Sequence, residues 1–200
     1  MLARKKVKHL YLGIESGLDD VLKFMKKDHD LAQAYQAIDR LHEAGLIYDA
    51  HIMTGVAGKG RGMENAEALA QFLNRTNPAH VVNFSMFLHK EVPLYQDIRQ
   101  GTFVPADELE TIREEYHLIE RIAPEKVGAN ILYDGFHDFI HVRVRGHLPG
   151  DKEKMLAKLN GIIQEYEGKE PVYSFVQGEC PDLEYCDDGK AVWDMDRKTS

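Results

Sequence analysis

An acid, a hydroxyl and a glycine, Glu15-Ser16-Gly17, close the apolar run Leu10-Tyr11-Leu12-Gly13-Ile14 and lead directly into the amphipathic stretch Leu18 to Lys27. A strand that stops on such a corner and turns into a helix places a carboxylate and a hydroxyl at the carboxyl end of a parallel sheet. Open α/β sheets and β/α barrels assemble their ligand sites at that edge. There Glu15 and Ser16 can hydrogen-bond a ribose or an amino group. A helix cap is the competing role, because Ser16 or Asp19 can accept bonds from unpaired first-turn amides.

A second candidate is the glycine loop Gly55-Val56-Ala57-Gly58-Lys59-Gly60-Arg61-Gly62. Its glycines let the backbone approach a ligand, and a helix beginning near Met63 directs amides toward it. Gly58-Lys59 is followed by Gly60 rather than Ser or Thr, so the loop is not a P-loop, and G-x-G-x-x-G is not formed either. A phosphate cradle and a plain connection both fit. Among the ten histidines, His137 and His141 share a face if they lie on one strand, but about 13 Å apart, too far to share a metal easily. No metal site is expected, since Cys180 and Cys186 alone do not define one. His51 and His89 are better placed to line a pocket. The run Phe84-Ser85-Met86-Phe87-Leu88 can pack a purine ring or form strand core.

The elements that position these groups follow from periodicity. Strands are expected at Leu10 to Ile14, Ile47 to Thr54 and His80 to Leu88. Helices are expected over Leu18 to Lys27, from a cap at Asp28 or Asp30 to Gly45, over Met63 to Arg75, and over Asp107 to Ile122. Crossovers of this size imply parallel strands joined right-handedly. After Pro124 the rhythm changes: Ala129 to Tyr133 and Phe139 to Val144 read as strands around an Asp134-Gly135 turn, and a last helix follows Asp151. Val172 to Val176 reads as a further strand. Residues 8–124 are thus expected to form parallel β/α units, 125–168 an α+β extension, and 169–200 an acidic, partly ordered tail.

With 44% hydrophobic and 29% charged residues the composition is that of a globular protein. A formal net charge of -8 argues against nucleic acid as the main partner. Two cysteines and no apolar run of membrane-spanning length make a cytoplasmic protein without membrane contact the expectation. Three parallel strands leave an open edge, which invites pairing with the rest of a longer polypeptide or with a second copy in a homo-oligomer.

The segment Leu12 to Lys27 resembles the fourth strand-helix unit of the radical S-adenosylmethionine (radical SAM) enzymes, where Gly-(Ile/Leu)-Glu-Ser-Gly precedes Val-Leu-x-x-Met-x-Lys. Ala34 to Gly45 with Ile52-Met53-Thr54-Gly55-Val56-Ala57-Gly58 is similar to the fifth unit. Phe87-Leu88 through Pro93-Leu94-Tyr95 and Gly101-Thr102-Phe103 is similar to the sixth. Arg145 to Lys154 resembles a segment that follows the barrel in iron-sulfur oxidoreductases of this superfamily. The resemblance implies an incomplete, TIM-like β/α barrel with a C-terminal α+β extension. It implies S-adenosylmethionine and a 4Fe-4S cluster as cofactors, with reductive cleavage generating a substrate radical. Carried over residue by residue, Glu15 and Ser16 would contact the ribose or methionine moiety, Ile52, Gly55 and Val56 would flank the adenine, and Phe87 and Leu88 would meet its edge.

One departure is plain: C-x-x-x-C-x-x-C is absent. The expectation is therefore the C-terminal part of a radical SAM oxidoreductase, with substrate unknown, inactive as an isolated chain. The alternatives are a non-catalytic assembly module, or a phosphate-binding β/α enzyme using the glycine loop with His51 or His89 as acid-base.

Overall fold

In each β/α unit a strand of alternating burial feeds a helix that lies back over one face of the sheet. The computed structural model describes residues 7–175 and the backbone of 186–187 and 190–191. Strands β1 (His9–Glu15), β2 (Ile47–Thr54), β3 (His80–Ser85), β4 (Ile131–His137) and β5 (Val142–Leu148) stand side by side in chain order. The first four run parallel, and β5 returns antiparallel to β4. The fold is α/β: parallel β/α units forming part of a TIM-like barrel. A two-residue ladder joins Cys186–Asp187 to Lys190–Ala191.

The helices are α1 (Asp19–Phe24), α2 (Leu31–Glu43), α3 (Gly62–Thr76), α4 (Pro93–Arg99), α5 (Glu108–Arg121) and α6 (Lys152–Tyr166). Their starts have local causes. The Asp30 side chain accepts from the Gln33 amide while the Gln33 side chain accepts from the Asp30 amide, a reciprocal box that opens α2. Asp107 accepts from the Glu110 amide to open α5.

Alternation along the strands sorts the two faces of the sheet. Ile14, Tyr48, Ala50, Ile52, Val81, Ile131, Tyr133, Val144 and Leu148 are buried beneath α2, α3, α5 and α6, where they meet Ile38, Leu69, Phe72, Leu73, Ile112, Leu118 and Leu159. At the C-terminal rim Met53 and Met86 pack with Val21, Val56 and Ala57 of α1 and the glycine loop. Below that rim the opposite face carries Tyr11, His51, Phe84 and Phe136 in a row of ring contacts, and no helix among the described residues covers it.

The fold differs from the sequence reading at four places. Asp134-Gly135 is not a turn but lies mid-strand in β4. Asp134 is gripped from β5 by Arg143, and a Cβ on Gly135 would collide with the Glu115 carboxylate, so the glycine makes room for an acid. The loop after β3 contains α4, whose Pro93 takes the first-turn place where no amide is needed. Residues 172–175 form no strand; Phe175 makes a single bridge to Leu88. The sheet runs on past Pro124, since β4 pairs with β3. The expected acidic tail from 176 onward lies outside the described residues, apart from the backbone ladder above.

Candidate cofactor rim and open sheet face

The corner that ends β1 splits its residues between two faces. Glu15 sits at φ 63, where the β1–β2 register shifts between Gly13 and Glu15. A left-handed backbone at a glutamate is costly and marks a constrained position. It turns the carboxylate away from the helix layer, where Oε1 accepts from Lys27 Nζ at 2.8 Å. Ser16 goes the other way and is fully buried. Its hydroxyl donates to Asn65 Oδ1 at 2.7 Å and accepts from the Leu18 amide at 3.1 Å.

Asn65 continues inward. It accepts from the Gly17 amide at 3.1 Å and donates to Glu114 Oε1 at 2.7 Å, while Glu114 Oε2 accepts from the Gly55 amide at 2.8 Å. The ends of β1 and β2 are therefore tied together from behind by one asparagine and one acid. Burial pushes the Glu114 carboxyl up to about 8, against the lowering effect of the Asn65 and Gly55 bonds.

The glycine loop is engaged internally. Besides Gly55, the Gly60 amide donates to Glu110, Gly58 to the Gly55 carbonyl at 3.0 Å, and Lys59 to the Val104 carbonyl at 2.8 Å. Two of these amides already face carboxylates, so the loop is a poor anion cradle. Beside it lies a depression of about 420 Å³ lined by Phe24, Lys59, Arg61 and Phe103, with Arg61 paired to Asp20 and Glu64.

The remaining candidates scatter in depth. Ile52 is buried under the helices, Val56 with Val21, and Leu88 with Ile98 and Phe103. The Leu88 amide donates to the Ser174 carbonyl at 2.6 Å. Phe87 is 54% exposed. Glu15 and Phe87 are thus the candidates whose side chains a ligand at the rim can reach, whereas Ile52, Gly55, Val56 and Leu88 offer backbone or buried packing. His51 lies on the open face 5.0 Å from the Tyr11 ring. His89 lies on the loop after β3, accepting from the Glu91 amide.

The open face is polar. The Tyr11 hydroxyl meets His80 Nδ1 at 3.1 Å, and His9 Nδ1 meets Asp49 Oδ2 at 3.0 Å. Asp49 Oδ1 and His80 Nε2 are buried with no partner among the described residues. Burial pulls the His80 imidazole down despite the Asp49 charge. Further along, Arg143 lies over Phe136 at 4.7 Å and grips Asp134 through two bonds of 2.8 and 2.6 Å. A parallel sheet is ordinarily covered on both faces. Groups of this kind suit a wet or ligand-filled cavity better than a second apolar layer.

Sequence reasoning missed the deepest polar cluster. His137 ends β4 on the helix side, with Nδ1 3.1 Å from Glu108 Oε2 and Nε2 3.0 Å from Glu115 Oε2, all fully buried. Burial disfavours the charged ring, but the Glu115 charge and the Glu108 bond outweigh it and raise the imidazole to about 10. Glu108 also accepts from Ser85 and Ser174, and its own amide donates to the Val172 carbonyl, which straps the 172–175 segment to the rim. Placing His137 on a continuous strand with His141 hid this cluster. A 3-10 turn over Asp138–Ile140 separates them, and the partner acids lie on α5. Among the described residues no group of His, Cys, Asp and Glu is arranged to hold a metal ion.

Comparison with known proteins agrees with this architecture. The radical SAM superfamily matches residues 1–73. An Elp3 from the archaeon Methanocaldococcus infernus, solved with an N-terminal deletion (1–46), aligns at a TM-score of 0.54 and 22% identity over 62% of this chain and 29% of that one. The chain thus spans less than a third of that protein's length. No curated protein matches it. Residues 1–73 thus match the radical SAM superfamily model, and the α/β fold of the chain is similar to part of the Elp3 structure.

Proposed function

We propose that this chain supplies the nucleoside side of an S-adenosylmethionine site, and one wall of the adjoining substrate cavity, in a cytoplasmic radical SAM iron-sulfur oxidoreductase. The observation that carries the reading is Glu15, held left-handed at φ 63 so that a carboxylate reaches the open side of the strand ends. Strain at a single charged residue on a ligand-bearing edge fits a binding role better than a structural one. The rim fits the nucleoside: Glu15 is an acceptor for ribose hydroxyls or the amino group, and the exposed Phe87 ring is a surface for adenine. Bound with a reduced cluster, S-adenosylmethionine supplies one-electron chemistry at a substrate C–H bond.

The cluster is a different matter. The family pattern needs three thiolates, whereas this sequence contains two cysteines, 180 and 186. These residues do not fit a cluster site, so the isolated chain is expected to bind the nucleoside without turning it over. Among the described residues no helix is long and apolar enough to cross a membrane. The outer side of β1, which no described strand pairs, is the proposed route to association with another chain.

The test is ligand protection of the whole chain, read by thermal unfolding and calorimetry with S-adenosylmethionine, S-adenosylhomocysteine and inorganic phosphate. A ligand that binds only the folded form adds about 2.7 kcal/mol at a hundredfold excess over its Kd. The expected result is stabilisation by both sulfur nucleosides and its loss in Glu15→Gln. Stabilisation by phosphate alone, or nucleoside protection indifferent to Glu15→Gln, overturns the reading.

A further inference from the structure

At the far edge of the sheet from Glu15, a depression of about 440 Å³ is lined by Arg143, Val144, Arg145, Lys154, Met155 and Lys158. Four of the six are cations and none is an acid, in a chain with 33 acidic and 25 basic residues. Several cations elsewhere are paired: Lys27 with Glu15, Arg61 with Asp20 and Glu64, Arg113 with Glu167, and Arg121 with Glu67. Here Asp134 alone answers the two arginines, with Arg143 at 2.6 Å and Arg145 at 3.6 Å. Lys154 has no acidic partner among the described residues. Lys154 and Lys158 lie four apart on α6, a like-charge spacing that disfavours the helix. Four cations lining one depression against a single carboxylate, two of them at a like-charge helix spacing, favour an anion there.

The backbone narrows the choice. An extended acidic peptide would add to the free edge of β5, but Lys158 Nζ covers the Arg143 carbonyl at 2.6 Å, and Asp151 accepts from the His147 amide at 2.7 Å. With those two groups taken, an added strand is disfavoured along that edge. What remains is the Arg145 guanidinium, whose Nε lies 3.6 Å from Asp134, the Lys154 ammonium, and the Lys158 protons not used on the Arg143 carbonyl, donors that match phosphate oxygens. The floor between them, Val144 and Met155, is buried and apolar.

We propose that the depression between β5 and α6 binds a phosphate ester, with Arg145, Lys154 and Lys158 on the phosphate and Val144 and Met155 beneath the organic part. It is separate from the rim and from the glycine loop, and it stands whether or not the nucleoside reading does.

The test is isothermal titration of the full chain with pyrophosphate, adenosine diphosphate and citrate at low and physiological salt. The variants are Lys154→Glu, with Lys59→Glu at the glycine loop as control, and both are checked by circular dichroism. The expected result is saturable binding of the two phosphates, weaker at higher salt and at least about tenfold weaker in Lys154→Glu. Tighter binding of adenosine diphosphate than of pyrophosphate assigns the apolar floor to the organic part; equal binding assigns the site to the phosphate group. Citrate binding as well as either phosphate, affinity unchanged in Lys154→Glu, or affinity lost in Lys59→Glu overturns the proposal.

Discussion

His137 Nε2 and Glu115 Oε2 meet at 3.0 Å with neither side chain exposed. With Glu108 3.1 Å from the other ring nitrogen, both nitrogens face carboxylates, so the ring is held doubly protonated. Removing one member of a buried charge cluster leaves the others uncompensated, at about 3–5 kcal/mol. His137→Leu is expected to lower unfolding stability by that amount in urea titration. A loss under about 1 kcal/mol would mean that the acids are neutral in the native state.

The same cluster sets the response to pH. The folded imidazole is raised from its ordinary 6.5 to about 10. Its contribution is therefore fully present below about pH 6.5 and lost as pH climbs through 10. Glu114, raised from 4.5 to about 8 by burial, acts in the same direction at lower pH: between those values the folded carboxyl keeps its proton while the unfolded one gives it up. Stability is expected to fall from about pH 5 to pH 10, by at least about 1 kcal/mol. Urea midpoints taken across that range check it, and a flat or rising curve refutes it.

Glycines separate close approach from backbone strain. A Cβ on Gly17 would run into the backbone of Ala68 and Leu69, whereas at Gly60 it would meet open space but at φ +81. Gly17→Ala is expected to cost more than about 3 kcal/mol, because backbone must move to admit it. Gly60→Ala should cost about 1 kcal/mol from the left-handed backbone alone. Thermal unfolding of the two variants should rank them in that order.

Glu15 sets stability against binding. Replacing it by glycine relieves the left-handed backbone and gives up a partly exposed Lys27 pair worth at most about 1 kcal/mol. Glu15→Gly is expected to match or exceed the parent in unfolding temperature while losing protection by S-adenosylmethionine. A marked loss of stability would show that the glutamate is structural.

Much of the frame was legible because its causes are local. Asp30 and Asp107 announce α2 and α5 by cap chemistry, and apolar spacing marks the first three strands. The errors arose where a distant partner decides. Asp134-Gly135 has turn composition, yet Arg143 from the next strand and Glu115 from a helix make it mid-strand. Nothing near His137 in the chain signals that two acids, 29 and 22 positions earlier, enclose it. The sequence allows Ser16 either a ligand contact or a cap role, and its hydroxyl is engaged by Asn65 and the Leu18 amide, a link between non-adjacent elements that spacing does not encode.

Lys158 and Asp151, seated on the backbone of β5, make the two sides of this sheet unequal. Growth by hydrogen bonding is hindered there, whereas no described strand pairs the outer side of β1. Two copies that join symmetrically through β1 meet about a two-fold axis, and such a pair leaves the partly capped β5 borders outside. Continued edge-to-edge growth is thereby disfavoured, and a pair of chains is the expected limit of association through β1, which sedimentation checks.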